Sequence, residues 1–164
     1  MVAQCPGIDP KASTAAMKKI LGLGHLFRLL SHGQRDVIRS RFGLSPHKIP
    51  IVGEPGTTAV FTHPEAFDAY AQSASLRFIN EVCARFLLRS HGYRPDKEIK
   101  NLHCPLLVQI CDKDRLVPIS PEVEAELMKY AEVRHYPISH FEIYLGDNFE
   151  KSVREQLAFF INNL

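Results

Sequence analysis

Cys104-Pro-Leu-Leu-Val-Gln-Ile-Cys-Asp-Lys-Asp-Arg-Leu-Val-Pro118 is the stretch on which the fold turns. Its first half, Pro105 to Cys111, is a nearly continuous apolar run bounded by Pro and Asp. Such a run fits a strand buried on both faces, the usual state of strands in a parallel sheet. Asp114 then stands just past the strand. In open parallel α/β sheets, functional side chains gather at the carboxyl ends of strands.

Downstream, Ser120 and Pro121 open a helix over 121–130, and Val133-Arg-His-Tyr-Pro137 reads as a second strand. Strand, helix, strand implies a parallel crossover. His140 follows that second strand, in the same layer as Asp114. A final helix over about 148–162 repeats apolar residues at Phe149, Val153, Leu157, Phe160 and Ile161,.

Upstream the material is helical. Apolar residues recur at helical spacing over 12–31, from Ala15 to Leu30, with Ser13 or Thr14 as a cap and Gly33 as the stop,. A short second helix follows through Val37, Ile38 and Phe42. Gly43 to Thr58 is rich in Pro and Gly and reads as an ordered, irregular loop enclosing the extended piece Ile49–Val52. Two more helices are expected at about 64–74, with Pro64 at a first helical position, and at 75–91. Met1 to Cys5 reads as the end of a strand whose beginning and partners are expected to be missing from these residues. The expected division is 1–97, a strand end plus a mostly helical segment, and 98–164, a βαβα segment with parallel strands.

The 164 residues have ordinary globular composition and a net charge of +2,. That charge is too small, and its lysines and arginines too dispersed, to argue for nucleic acid. No apolar stretch approaches the ~20 residues of a membrane span. Cys5, Cys83, Cys104 and Cys111 form no C-x-x-C pair, and no secretory leader is visible, so thiols in a reducing cytoplasm are expected,. Neither a cofactor motif nor a metal cluster is legible in the spacing of the eight histidines,.

Asp114 with His140 is the orienting pair of a nucleophilic triad: the acid fixes the imidazole tautomer and the imidazole moves the proton. Asp112 is a competing acid. Taken singly, Asp114 also suits a turn and His140 a structural hydrogen bond. His25, His32, His47, His63, His91, His103 and His135 read as structural. Arg85, within an apolar stretch, reads as a salt-bridge partner. Phe61 and Phe67 are candidates for a pocket wall, with core packing the plainer reading.

The quoted stretch resembles the strand and turn that bear the catalytic acid in α/β-hydrolases, with Cys111 where that family often has Gly. Tyr136-Pro-Ile-Ser-His140-Phe is similar to the family's histidine loop, with Ser139 at a common Gly position. Ala3-Gln-Cys-Pro6 looks like the strand end before the family's helical cap, and residues 12–97 look like that cap. The resemblance implies a partial α/β-hydrolase fold, its C-terminal half, with Asp114 and His140 as acid and histidine. It also implies hydrolysis of a small ester- or amide-type substrate by the complete protein. The family's nucleophile sits on a G-x-S-x-G elbow before the acid. Ser31, Ser45, Ser90 and Cys5 all fail that pattern. The isolated chain is therefore expected to be inactive. The alternative is a binding or assembly module that forms a homodimer or pairs with a separate N-terminal half.

Overall fold

The computed structural model describes residues 1–89 and 92–163, with residue 73 described by its backbone alone. In chain order the elements are β1 (Val2–Gln4), α1 (Pro10–Arg41), β2 (Lys48–Ile49), α2 (Pro64–Ser73), β3 (Val82–Cys83), α3 (Phe86–Arg89), α4 (Pro95–Glu98), β4 (Leu107–Cys111), α5 (Pro121–Leu127), β5 (Glu132–Tyr136) and α6 (Gly146–Asn163). Short 3-10 turns lie at Ile99–Asn101 and Glu142–Tyr144. The chain divides into two units. One is Met1–Ala16 with Arg94–Leu164; the other is Met17–Tyr93.

The first unit is built on a parallel sheet of order β1-β4-β5. Val2 to Gln4 pair with Leu107 to Gln109, and Leu107 to Cys111 pair with Glu132 to Tyr136. All five residues of β4 are buried. Alternation along the strand explains why both faces are covered. Leu106, Val108 and Ile110 pack with Ile8, Ile99 and Leu127 on one side. Burial of each such aliphatic side chain contributes roughly 1.5–3 kcal/mol.

The opposite face includes Gln109, which is fully buried. An amide there would be costly without partners. Its Nε2 donates to the Tyr136 hydroxyl at 2.7 Å and to the Ser152 carbonyl at 3.1 Å; its Oε1 accepts from Gln156 at 2.7 Å. Tyr136 in turn donates to the Glu155 carboxylate. The polar residue in the apolar run is therefore the attachment point of α6.

Helix α1 begins at Pro10, two residues earlier than its apolar periodicity indicates. Its cap is Asp9, which accepts the Ala12 N–H at 2.9 Å, rather than Ser13 or Thr14. The other Asp9 oxygen accepts the N–H and hydroxyl of Ser120, so Ser120 precedes α5 without capping it.

In the second unit, two expectations fail. Gly33 does not end a helix; α1 runs through it to Arg41, and the break falls at Gly22 (φ 74°, ψ 162°). A Cβ at Gly33 would sit 3.1 Å from Leu88 Cγ and 3.2 Å from the Ala84 carbonyl, so this glycine serves close packing rather than termination. The helix expected over 75–91 is absent from its first half. The Asn80 side chain accepts from Ile51 and Val52 N–H and donates to the Val52 carbonyl. Val82 and Cys83 pair antiparallel with Ile49 and Lys48. Such side-chain-to-backbone bonds compete with helix formation, and only Phe86–Arg89 (α3) is helical. Leu76 and Ile79, inside that expected helix, are exposed. Ser90 and His91 lie outside the described residues.

Leu29, Ile49, Val60, Ala84 and Leu87 form the core of this unit. Asp36, fully buried, ties its loops together. It accepts the backbone N–H of His47 at 2.7 Å and of Arg85 at 2.9 Å, and its carboxylate lies 3.2 Å from Arg85 Nε. Arg85 is thus a salt-bridge partner.

Candidate active site

The turn after β4 is fastened to β5 by backbone bonds. Asp112 N–H donates to the Tyr136 carbonyl and Lys113 N–H to the Ile138 carbonyl. Asp114 N–H then closes a turn onto the Cys111 carbonyl at 3.0 Å. Its carboxylate folds back over the next residues: Oδ1 accepts Leu116 N–H at 2.8 Å and Val117 N–H at 2.9 Å. That leaves Oδ2, which is 2.7 Å from His140 Nδ1.

Burial pushes the Asp114 carboxyl pKa up. The hydrogen bond and charge of His140 and the two backbone N–H groups outweigh it, and the net pKa lies below the ordinary carboxyl value,. An ionised carboxylate is an acceptor only, so Nδ1 of His140 carries the proton. Nε2 is then the lone-pair nitrogen of the neutral ring. The imidazole is held edge-on by Phe141, with centroids 4.8 Å apart at 85°, and lies near Tyr144. The arrangement can accept a proton at Nε2 and stabilise the resulting imidazolium.

Asp112 goes elsewhere. It pairs with His135 on the surface, Oδ1 to Nδ1 at 2.7 Å, and Glu124 approaches the other nitrogen of that ring at 3.4 Å. His25 bonds to the Ala59 carbonyl, His32 to His47, and His63 accepts the Glu65 N–H at the start of α2. The Ser31 hydroxyl donates to the Arg28 carbonyl, and Ser45 accepts from Arg39. Phe61 packs against the core of the second unit, and Phe67 is exposed.

One neighbour was not legible in the spacing. Cys5, at the end of β1, brings its thiol to the pair: Cys5 Sγ, a carboxylate oxygen of Asp114 and a ring nitrogen of His140 all lie within 4.8 Å of one another. Cys5 adopts φ 42°, a conformation uncommon outside glycine,. Its Sγ is 3.0 Å from Cys111 Sγ. Contact with Cys111, then burial and the Asp114 charge, raise its pKa strongly. A protonated, buried thiol is a poor nucleophile. As a metal donor set the trio is partly spent, because Asp114 already receives three N–H groups.

Comparison with known proteins follows this geometry. No family model matches the chain. The chain is 32% identical over 162 residues to the quorum-quenching protein AidA of Acinetobacter baumannii (strain MDR-ZJ06), covering 97% of this chain and 52% of that protein. Among solved structures it resembles the α/β hydrolase GrgF from Penicillium sp. sh18, with a TM-score of 0.65 at 16% identity, over 99% of this chain and 54% of that one. It also resembles DcsB, solved in complex with its substrate analogue, with a TM-score of 0.58 at 16% identity, over 98% and 62% of the two chains.

The chain carries the C-terminal half of the α/β-hydrolase fold. It spans about half the length of the curated relative it matches. Within this half of the fold, the parallel sheet β1-β4-β5 is the part that brings the Asp114 turn and the His140 loop side by side. No helix among the described residues is long and apolar enough to cross a membrane.

Proposed function

We propose that this chain supplies the acid and histidine of a serine-hydrolase-type site, with Asp114 orienting His140 and His140 acting as general base and then general acid. The 2.7 Å bond between Asp114 Oδ2 and His140 Nδ1 carries this reading, because it leaves Nε2 as the proton-accepting atom,. The reaction proposed for the complete protein is cleavage of an ester- or amide-type bond in a small molecule. The name of the AidA relative adds a candidate role for the complete protein, quorum quenching. Residues 12–97 would then act as the cap.

These 164 residues contain no G-x-S-x-G elbow, and removal of a triad nucleophile leaves only residual rate from binding and oxyanion contacts,. The chain alone is therefore proposed to be inactive, the nucleophile coming from the N-terminal half of the fold, on the same polypeptide or a separate one. A feature of α6 favours that partner. Phe149, Val153, Leu157 and Ile161 recur every four residues and are all exposed, so the helix carries an uncovered apolar stripe, and the relative is about twice as long,.

The test is a p-nitrophenyl ester assay on the chain alone and after mixing with a chain containing the elbow. The expected outcome is no His140-dependent turnover alone and turnover on mixing. Turnover by the chain alone that His140→Ala abolishes would refute the reading.

A further inference from the structure

Two thiols 106 residues apart in sequence meet where β1 and β4 end. The register places them: Gln4 pairs with Gln109, and Cys5 N–H donates to the Gln109 carbonyl at 2.9 Å. Cys5 therefore lies alongside Ile110 and Cys111. The positive φ of Cys5 turns the chain out of the strand, with its thiol against Cys111. Both side chains are buried and both sulfurs are free thiols. Their separation of 3.0 Å is about 1 Å longer than a covalent S–S bond,. Pro6, Asp114, Val117 and Ile119 line a small cavity together with them.

We propose that Cys5 and Cys111 are a redox modification site, closing to a reversible disulfide that ties β1 to β4 beside the Asp114–His140 pair. This does not depend on the hydrolytic reading. The oxidant is a hydroperoxide, small enough for a buried site. The Cys111 sulfur attacks the peroxide, Cys5 being the sulfur held as the thiol: an S–O bond forms, the O–O bond breaks, and a first water (for hydrogen peroxide) leaves with the Cys111 thiol proton. The second sulfur then displaces the sulfenic oxygen: the S–S bond forms and a second water leaves with the second proton. Two electrons pass from the thiols to the peroxide. A dithiol such as dithiothreitol reverses the reaction by exchange. Only about 1 Å of movement is needed, whereas Cys104 is exposed and Cys83 only half-buried, so neither shares this geometry.

The experiment uses the chain carrying Cys83→Ser and Cys104→Ser, so that only this pair remains. It is treated with hydrogen peroxide, denatured, alkylated and weighed. The expected result is a monomer about 2 Da lighter that takes up no alkyl group, and two alkyl groups after dithiothreitol. Closing a loop of 106 residues should also raise Tm by on the order of ten degrees,. The single variants Cys5→Ser and Cys111→Ser should show neither change, and either one suffices if the other fails to fold. Full alkylation of both thiols after peroxide, a linkage found only between two chains, or accumulation of sulfinic acid at either cysteine would overturn the proposal.

Discussion

Replacing Asp114 by Asn should reverse the tautomer of His140 while leaving the fold intact. The carboxylate has two jobs on separate oxygens. Oδ1 holds Leu116 and Val117 N–H, and Oδ2 holds His140 Nδ1. Asparagine keeps one acceptor oxygen, which stays with the two backbone donors because leaving both orphaned at a side chain only 6% exposed would cost about 1–3 kcal/mol each,. The amide nitrogen then faces His140 and presents a donor to a donor. The ring relieves this by moving its proton to Nε2, so that Nδ1 accepts. The lost charge-assisted bond is worth about 1.5–3 kcal/mol. In a complete hydrolase the wrong tautomer lowers kcat by about 10⁴. The tautomer itself is readable in the isolated chain. Long-range nitrogen–proton correlation on histidine-labelled protein should show His140 as the Nδ1–H form in wild type and the Nε2–H form in Asp114→Asn. An Nε2–H form in wild type, or the same form in both proteins, would refute the assignment of Asp114 as the orienting acid.

Three further outcomes follow from particular contacts. Asp36→Ala orphans two buried backbone N–H groups and the Arg85 guanidinium, and should cost about 3–5 kcal/mol in urea unfolding,; a loss under about 1 kcal/mol would contradict the role given to this residue. Asp9, Asp36 and Asp114 all have carboxyl pKa values lowered below the ordinary 3.8 by folding, Asp9 against burial through the N–H of Ala12 and the donors of Ser120. Their stabilisation is complete above that value and is lost as pH falls through the lower folded-state values, so thermal melts should be flat in this respect above about pH 5 and fall steeply below about pH 4. Gly33→Ala should destabilise by about 1–3 kcal/mol, because the new methyl meets Leu88 and the Ala84 carbonyl inside 3.4 Å, despite the helical gain Ala usually brings,.

What was legible in the sequence was what depends on local pattern. β4 announces itself because a buried parallel strand needs apolar side chains on both faces, and Asp114 and His140 follow because parallel strands deliver their ends to one side. α6 keeps its amphipathic period. The failures share a cause: contacts that close over long separations. Gly33 looks like a helix stop until Leu88 and Ala84 are placed against it. Residues 75–91 look like a helix until Asn80 binds the backbone of residues 51 and 52 instead. Asp36 reads as one more polar residue on a helix, and nothing within its own turn reveals the two N–H groups, 11 and 49 residues away, that it serves. Cys5 and Cys111 read only as free thiols in the sequence, because it is the β1–β4 register that brings them together.

The same topology explains why the Asp114–His140 pair can form within half of a fold. Among the described residues, every hydrogen bond to Asp114 comes from residues 111–117 and from His140, and the turn is fastened to Tyr136 and Ile138 by backbone N–H groups. No donor or acceptor in that set lies outside 111–140. The pair is therefore pre-organised by one β-α-β crossover, and its geometry does not wait on a nucleophile. A segment bringing a serine to Nε2 would meet a ring already in the right tautomer, with its orientation set by Asp114 and Phe141. That makes complementation a docking problem rather than a folding problem. On this reading the affinity of the two halves should depend on the apolar stripe of α6, and the rate once joined on Asp114 and His140. Leu157→Lys should then weaken association without altering the His140 tautomer, and Asp114→Asn should do the reverse.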